Sequence, residues 1–406
     1  MEKIVFVIPT YWCRPGGSPG QPGDAVFDHP TPLDAEGTLT RCLKSLENVR
    51  SHSFEVLVIT APVSPELNES VERRVEEIIA PFRRRYPICQ FGPADLRAVR
   101  GELESLKLDP GLVSLEAYAQ IRNCQLLGSA LLDAELVAAI DDDELVPADY
   151  LEKALKSLKD EAARREMPGL AGLYLNAAGD YRVAEPPGCR EEANIFFRKA
   201  ALMNDEVASY VEQPGRTVPS AMALGGNMVF TRRLYRQVPF DPGITRGEDL
   251  DYLMNTRLAG LSWYLDKDLV ITHLPPPPAP GDPVNTSPYA KLQQDVIRFV
   301  YQREKLRLSS EAADTPSMTP AEFGVYPGAF FGADLETQAL EALERMRPAD
   351  ADMRFFPPPE KLMELARSRA GRAEGFFHFR AVWPELLARV ADTAALRERM
   401  SKKMGA

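Results

Sequence analysis

The sequence is poor in cysteine and histidine and lacks long apolar runs. Its 406 residues include five cysteines, none in a C-x-x-C pair, and four histidines. No run reaches the roughly 18 consecutive apolar residues that a membrane-spanning helix needs. The odd cysteine count and the lack of a secretory leader argue against a disulfide framework and predict a reduced, cytoplasmic setting.

Basic residues are also scarce relative to acidic ones. Lys and Arg number 48 against 59 Asp and Glu, which gives a formal net charge of −11. A protein that coats nucleic acid needs a broad excess of basic residues to displace counterions, so nucleic acid is excluded as a partner. An anionic ligand would have to be bound locally.

The first two thirds of the chain alternate between strand and helix patterns. The apolar run Ile4–Ile8 predicts a strand buried on both faces, and Phe54–Thr60 predicts a second. Amphipathic patterns predict helices at 37–49 and 66–85. Further strands are predicted at 136–140, 169–175, 228–230, 262–265 and 269–272, further helices at 115–132, 148–159, 191–203 and 247–258, and a less regular region at 88–110. This alternation predicts an α/β fold with a mainly parallel sheet flanked by helices.

The composition changes near Leu274, where a proline-rich segment predicts a stiff linker. Beyond it, helices are predicted at 288–308, 334–346, 359–369 and 381–404. We therefore divide the chain into residues 1–275 and a mostly helical extension, residues 276–406. The last helix is amphipathic and basic, which leaves open a peripheral contact with an anionic membrane surface, packing on its own domain, or association with a second subunit.

An acidic cluster follows one of the predicted strands. The apolar run Leu136–Ile140 ends in Asp141, Asp142, Asp143 and Glu144. Adjacent carboxylates repel one another unless a cation offsets their charge. Oxygen ligands favour Mg²⁺, Mn²⁺ or Ca²⁺, so the cluster predicts a divalent metal site. The alternative is a solvated turn that precedes the next helix.

Other charged residues follow strands of the same predicted sheet. Glu248 and Asp249 open a predicted helix, and His273 ends the last predicted strand. Ligands of open α/β sheets bind where the carboxyl ends of the strands meet. We expect these side chains and the acidic cluster to converge there.

The ordered set of short motifs resembles GT-A glycosyltransferases of the family 2 type over roughly residues 1–275. The motifs are Val7-Ile8-Pro9-Thr10-Tyr11, Ile121-Arg122-Asn123, Ile140-Asp141-Asp142-Asp143-Glu144, Gly225-Gly226-Asn227-Met228, Phe240-Asp241, Gly247-Glu248-Asp249-Leu250-Asp251 and Thr272-His273. The resemblance implies a Rossmann-like GT-A fold and a donor that is a nucleoside-diphosphate sugar. The helical extension lies outside it.

The resemblance also implies roles for individual residues. Asp143 and His273 would bind Mn²⁺ or Mg²⁺, which bridges the protein to the donor diphosphate. The residues that would contact the nucleotide sugar are Pro9, Thr10, Tyr11, Arg122, Asp141, Asp142, Gly226 and Asn227. Asp249, with Glu248 beside it, would be the general base of an inverting hexosyl transfer to a hydroxyl acceptor of unknown type, whether a saccharide, a lipid-linked molecule or a small molecule.

Several alternatives stay open at this point. Acidic residues are favoured in the first turn of a helix without any catalysis, which applies to Asp249 and Asp251. Retaining GT-A enzymes that resemble mannosylglycerate synthase share the metal site but not the base. A non-catalytic sugar-nucleotide-binding or scaffold protein would keep the site without turnover. A sugar nucleotidyltransferase is disfavoured, because its Gly-rich, Arg-containing loop after the first strand is absent.

The chain departs from the family pattern at two places. No Asp follows the second strand at 60–63, and Trp12 stands where an Asn is usual, followed by a long Gly- and Pro-rich loop. The nucleobase is therefore open. Acceptor specificity is expected to reside in residues 176–222 and in the helical extension.

Overall fold

The computed structural model describes residues 2–276, 287–311 and 316–405, apart from residues 19, 22, 51, 52, 317, 350, 351, 354 and 355. Within them, a single ten-stranded sheet forms the centre of the fold. The strands are β1 Ile4–Cys13, β2 Thr31–Pro32, β3 Phe54–Pro62, β4 Ile88–Phe91, β5 Leu136–Ala139, β6 Glu144–Leu145, β7 Gly169–Leu175, β8 Thr217–Pro219, β9 Met228–Thr231 and β10 Tyr264–His273.

The strand order is β4-β3-β1-β5-β9-β7-β10-β6, with β2 beside β1 and β8 beside β10. Most pairs are parallel, whereas β9 runs antiparallel between β5 and β7. The predicted α/β fold with a mainly parallel sheet is confirmed. Because β1, β3, β5, β7 and β10 point the same way, their carboxyl ends form one edge of the sheet.

Helices cover the sheet and form the C-terminal part of the chain. They are α1 Leu39–Leu46, α2 Asn68–Ile79, α3 Pro93–Ser105, α4 Tyr118–Leu131, α5 Tyr150–Ser157, α6 Glu161–Glu166, α7 Ile195–Val211, α8 Arg232–Gln237, α9 Glu248–Leu258, α10 Pro288–Glu311, α11 Leu335–Met346, α12 Pro359–Ala370, α13 Glu374–Asp392 and α14 Ala394–Met404. Residues Ile4–Ile8 of β1 are almost fully buried, as expected of a central strand covered on both faces.

The structure differs from the sequence predictions in three main regions. The two strands predicted at 262–265 and 269–272 are one strand, β10, with an irregularity in its pairing between Leu265 and Val270. The region predicted to be less regular, 88–110, contains β4 and α3. The prediction of one helix over 381–404 is wrong, because the extended backbone of Thr393 separates α13 from α14. A helix pattern in the sequence cannot reveal a break made by a single residue with an otherwise ordinary side chain.

The C-terminal helices pack directly on the sheet region. The Trp383 indole N–H donates to the carbonyl of Tyr235 over 3.0 Å, and the Arg399 guanidinium lies 2.6 Å from the buried Asp95 carboxylate. One continuous hydrophobic core includes residues of both parts. The basic side chain of Arg399 in α14 therefore forms an ion pair with Asp95 of the same chain. Most of the predicted proline-rich linker, residues 277–286, lies outside the described residues.

In the described part of the chain, each helix is either too short or too polar to cross a bilayer.

Candidate active site

A cavity of about 540 Å³ lies at the carboxyl edge of the sheet. It gathers side chains from β1, the loop after β5, the start of α9, the end of β10, and the C-terminal extension. Its charged and aromatic lining residues are Tyr11, Asp28, His29, Tyr118, Arg122, Asp141, Asp142, Asp143, Tyr174, Lys199, Arg246, Glu248, Asp249, His273, Lys291, Arg298 and Tyr326. The predicted convergence of the acidic cluster, Asp249 and His273 is confirmed by this geometry.

The position of His273 follows from strand pairing. His273, the last residue of β10, pairs in antiparallel register with Glu144 of β6, and the Leu274 N–H donates to the Asp143 carbonyl over 3.0 Å. The imidazole Nε2 of His273 then lies 3.2 Å from Asp143 Oδ2. Burial alone would lower the pKa of His273, but the contact with Asp143 raises it above its ordinary value. Residues far apart in the sequence thus form one contact pair.

The Asp143 and His273 pair fits a divalent metal. A carboxylate and an imidazole are donors that Mn²⁺ accepts, and Mg²⁺ accepts the carboxylate. Among the described residues, no group of three or more His, Cys, Asp or Glu side chains is arranged to hold a metal. A metal at this pair would therefore take most of its ligands from a bound molecule and from water.

Arg122 connects the two acidic motifs of the cavity. Its Nη2 lies 2.8 Å from Asp141 Oδ1, and its Nε lies 3.1 Å from Glu248 Oε1. Burial raises the pKa of Glu248 to about 7, although Arg122 acts in the opposite direction. The Arg122 side chain is only 4% exposed. It is thus a buried ion-pair bridge rather than a solvated residue on a helix surface.

Asp142 is held on the other side of the cluster by hydroxyl groups. Thr10 donates to Asp142 over 2.6 Å, and Thr38 donates over 3.2 Å. The Thr10 oxygen in turn accepts the indole N–H of Trp12 over 3.0 Å. Burial, with Asp143 alongside, raises the pKa of Asp142 to about 7. Trp12 is fully buried and acts through Thr10 on the acidic cluster.

Asp249 lies in the first turn of α9 with both oxygens oriented by backbone amides. The Gly225 N–H donates to Oδ2 over 3.1 Å, and the Leu250 N–H donates to Oδ1 over 2.8 Å. Gly247, just before α9, has a left-handed backbone with φ of 70°. Such amide contacts orient a carboxylate while leaving lone pairs for a ligand. Asp249 is one of the residues that line the cavity.

Four residues predicted to contact the nucleotide sugar are not among the residues that line the cavity, namely Pro9, Thr10, Gly226 and Asn227. Asn227 is fully buried: it accepts the Tyr150 hydroxyl over 2.9 Å and donates to the carbonyl of Leu269 over 3.0 Å. At Gly226, a Cβ atom would lie 2.1 Å from Glu144 Oε1, so only glycine fits there. The other residues predicted to contact the nucleotide sugar line the cavity, namely Tyr11, Arg122, Asp141 and Asp142.

Sequence reasoning missed several basic residues of the cavity. Lys199 of α7 and Arg298 of α10 both contact Asp295, and Arg246 lies 3.1 Å from Asp28. Lys199 lies in the segment 176–222 that the sequence associates with the substrate pocket. Lys291 and Arg298 come from the helical extension, where no motif indicated them, since a lone basic residue in a helix has no distinctive pattern.

The aromatic rings of Tyr11 and Tyr118 line one side of the cavity, and the ring of Phe27 packs against both. The Tyr11 ring lies 4.6 Å from Phe27 and 5.2 Å from Tyr118, measured between ring centroids. Phe27 belongs to the long Gly- and Pro-rich loop, which therefore folds back against the end of β1. The loop thus forms part of the wall beside Tyr11.

No known family model matches the chain, and no curated protein matches it. Solved structures do. A Pyrobaculum calidifontis mannosyltransferase, PcManGT, in complex with GDP-Man and Mn²⁺, is similar over 96% of this chain and 85% of its own, at 16% identity and a TM-score of 0.43. TarS of S. aureus, residues 1–349, is similar over 95% and 92%, at 13% identity and a TM-score of 0.36.

A third solved structure is GalNAc-T7 with UDP, GalNAc and Mn²⁺, similar over 88% of this chain and 58% of its own, at 12% identity and a TM-score of 0.41. Because these identities and TM-scores are low, the likeness by itself assigns no activity. The solved structures to which the chain is similar include a mannosyltransferase and GalNAc-T7.

Proposed function

We propose that this protein is a metal-dependent glycosyltransferase that moves a hexosyl group from a nucleoside-diphosphate sugar to a hydroxyl acceptor, with inversion at the anomeric carbon. The observation that carries the proposal is the meeting of Asp143, His273 and Asp249 in one cavity. A metal-binding pair and a separately held carboxylate are the two kinds of group that this transfer needs.

The donor end of the cavity is the acidic cluster with Tyr11. Asp143 and His273 would hold Mn²⁺ or Mg²⁺, and the metal would supply charge stabilisation for the leaving diphosphate. Arg122 orients Asp141 through its 2.8 Å contact, which leaves the second carboxylate oxygen of Asp141 for a ribose hydroxyl. Tyr11 lies at the same end and presents an aromatic surface to the nucleoside.

Asp249 is the proposed general base. As the acceptor oxygen bonds to the anomeric carbon, the bond to the diphosphate oxygen breaks and the acceptor hydroxyl proton passes to Asp249. The amides of Gly225 and Leu250 fix the carboxylate before the reaction, so little reorganisation is needed. The apolar side chains of Met203, Met222 and Leu224 line the same cavity and reduce the space available to water.

The experiment is a comparison of the wild-type protein with Asp249→Asn, using a panel of nucleotide sugars with Mn²⁺. The wild type is expected to hydrolyse one of these nucleotide sugars slowly. Asp249→Asn is expected to hydrolyse it at least about 100-fold more slowly, while keeping the wild-type affinity for the nucleoside diphosphate. Asp268→Asn, at a carboxylate that is 58% exposed, is the matched control.

Each outcome of this comparison decides one part of the proposal. Full turnover by Asp249→Asn would remove the base role. A product with retained anomeric configuration would favour a retaining transfer of the mannosylglycerate-synthase type. Nucleotide-sugar binding without any turnover would indicate a binding or scaffold protein.

A further inference from the structure

A second cavity, of about 800 Å³, adjoins the candidate active site. The two cavities share four lining residues, Asp28, Tyr118, Arg246 and Lys291. We call this second cavity the basic groove. Its basic lining residues are Arg97, Arg100, Arg246, Lys291 and Arg369. Its acidic lining residues are Asp24, Asp28 and Glu116. Basic groups therefore dominate here, although the whole chain has a net charge of −11.

Most of the basic groups in the groove have no carboxylate partner within the described residues. Lys291, Arg97 and Arg369 form no ion pair in the residue ranges that the structure describes, and Arg100 donates only to the carbonyl of Val113, over 2.8 and 3.1 Å. Arg369 is half-buried, and burial together with the neighbouring Arg372 lowers its pKa. A guanidinium in this position gains stability from a bound anion.

A buried amide faces the same space. Gln293 of α10 is only 7% exposed, lines the groove, and has no hydrogen-bond partner for its Nε2 among the described residues. Leaving a buried donor without a partner costs free energy, which a ligand oxygen would recover. The Nε2 of Gln293 and the basic side chains are all donors, so this part of the groove is suited to oxygen-rich anionic groups.

Binding of the donor diphosphate does not explain why these basic side chains and the Gln293 amide line the groove. In a nucleoside-diphosphate donor with a neutral hexose, the negative charge is confined to the diphosphate, which is bonded to the transferred sugar and would lie at Asp143 and His273. Arg97, Arg369 and Gln293 line the groove and not the active-site cavity. By contrast, Arg246 lines both, and it precedes Gly247, Glu248 and Asp249 directly in the chain. The groove therefore opens next to the proposed base.

We propose that the basic groove binds the acceptor, and that the acceptor carries a phosphate or carboxylate group. This inference depends on the proposed transferase function. The acceptor hydroxyl would reach Asp249 past Arg246, while the anionic group stays in the groove with Arg97, Arg369 and Gln293. Phosphate and carboxylate share the chemistry of oxygen acceptors for Arg, so the groove by itself does not choose between them.

The test uses three probes that differ only in the group at carbon 6 of the sugar, which is neutral in glucose and anionic in glucuronate and glucose 6-phosphate. Their dissociation constants are measured by ligand-observed NMR on the full chain without donor. At least one charged probe is expected to bind about tenfold or more tightly than glucose, because each charge-assisted hydrogen bond is worth at least that factor. The charged probe with the lower dissociation constant, glucuronate or glucose 6-phosphate, shows which anion the groove prefers.

The variant for this test is the double substitution Arg97→Ala with Arg369→Ala. We expect it to weaken binding of the charged probe about tenfold and to raise the acceptor KM in the transfer assay, while the affinity for a nucleoside diphosphate with Mn²⁺ stays within about twofold. Arg165→Ala, at an arginine that is 69% exposed and lines neither cavity, is the matched control.

The two proposals fail in different ways. Equal binding of glucose and the charged probes, or a double variant that loses nucleoside-diphosphate affinity instead of probe affinity, would overturn the anionic-acceptor inference. Transfer to neutral acceptors alone would do the same and leave the transferase function intact. Charged probes that bind without turnover of any nucleotide sugar would contradict the transferase function and, with it, the acceptor role of the groove.

Discussion

Arg298 of the C-terminal extension lies directly against Gly247, the residue before α9. A Cβ atom placed on Gly247 would come within 1.6 Å of Arg298 Nη1. Arg298 is held there by the Tyr326 hydroxyl, which accepts from Nη2 over 2.8 Å, and by Asp295 at 3.0 Å. The extension thus fixes the start of the helix that carries Asp249.

Gly247→Ala is expected to destabilise the protein by more than the left-handed backbone alone would explain. Gly260 offers a matched control, since its φ is also 70° and no atom lies within 4 Å of a Cβ placed there. We expect Gly260→Ala to reduce the free energy of unfolding by about 1 kcal/mol and Gly247→Ala by about 2 to 3 kcal/mol. Urea unfolding measures both. Equal losses would show that Arg298 does not restrict this site.

Lys305 of α10 holds α9 at a second place. Its side chain is fully buried, and its Nζ contacts Asp241 at 2.9 Å, Asp251 at 2.6 Å and Asn255 at 2.9 Å. Asp251 is therefore an ion-pair partner, a role beyond the helix-dipole effect that its position in the first turn suggests. Lys305→Met would leave two buried carboxylates without their cation.

We expect Lys305→Met to lower the free energy of unfolding by about 3 to 5 kcal/mol, the usual cost of removing one member of a buried ion pair. Arg307→Met on the same helix, where the side chain is 52% exposed, should cost less than about 1 kcal/mol. Chemical denaturation of both variants checks this. Similar losses for the two would mean that the buried network contributes no more than a surface ion pair.

The buried carboxylate of Asp295 is expected to make the free energy of unfolding fall at acidic pH. Burial alone would raise its pKa, but Lys199, Arg298 and Arg246 together lower it to about 2. Because the folded pKa lies below the unfolded value, the stabilisation is present at neutral pH and is lost as the pH falls from about 4 towards 2. Asp295→Asn should cost about 2 kcal/mol at pH 7 and progressively less below pH 4.

Glu385→Gln, at an exposed carboxylate paired with Arg389, should change stability little at any pH. Unfolding free energies measured from about pH 7 to pH 3 distinguish these behaviours. A deficit in Asp295→Asn that stays constant over this range would show that the Asp295 charge contributes nothing to stability.

Local sequence patterns predicted the parts of the fold that local chemistry determines. The apolar runs at Ile4–Ile8 and Phe54–Thr60 became β1 and β3, because continuous burial demands continuous apolar side chains. The antiparallel direction of β9 was not predictable, since strand direction depends on how the chain returns to the sheet. The break at Thr393 was missed, because one residue with an extended backbone leaves no signal in an otherwise continuous helix pattern.

The candidate site was predictable where it belongs to motifs at strand ends. Asp143, Asp249 and His273 were placed together from the topology of a parallel sheet. Asn227 was expected to contact the nucleotide sugar, but its side-chain amide forms hydrogen bonds with Tyr150 and Leu269 within the core. Arg298 and Lys305 were missed, because their roles depend on long-range contacts of α10 with Gly247 and with α9 that no local pattern encodes.

The central claim is that Asp143 and His273 bind a divalent metal together with the donor diphosphate. The most direct test is calorimetric titration with GDP and with UDP, in Mn²⁺ and in EDTA. Because the described residues offer this pair and no larger group of metal ligands, metal and nucleotide should bind strongly only together, and Asp143→Asn and His273→Ala should each lose about tenfold or more in affinity. His378→Ala, at an exposed histidine of α13, is the control and should bind as the wild type does. Nucleoside-diphosphate binding that is equally tight in EDTA, or unchanged in both site variants, would contradict the claim.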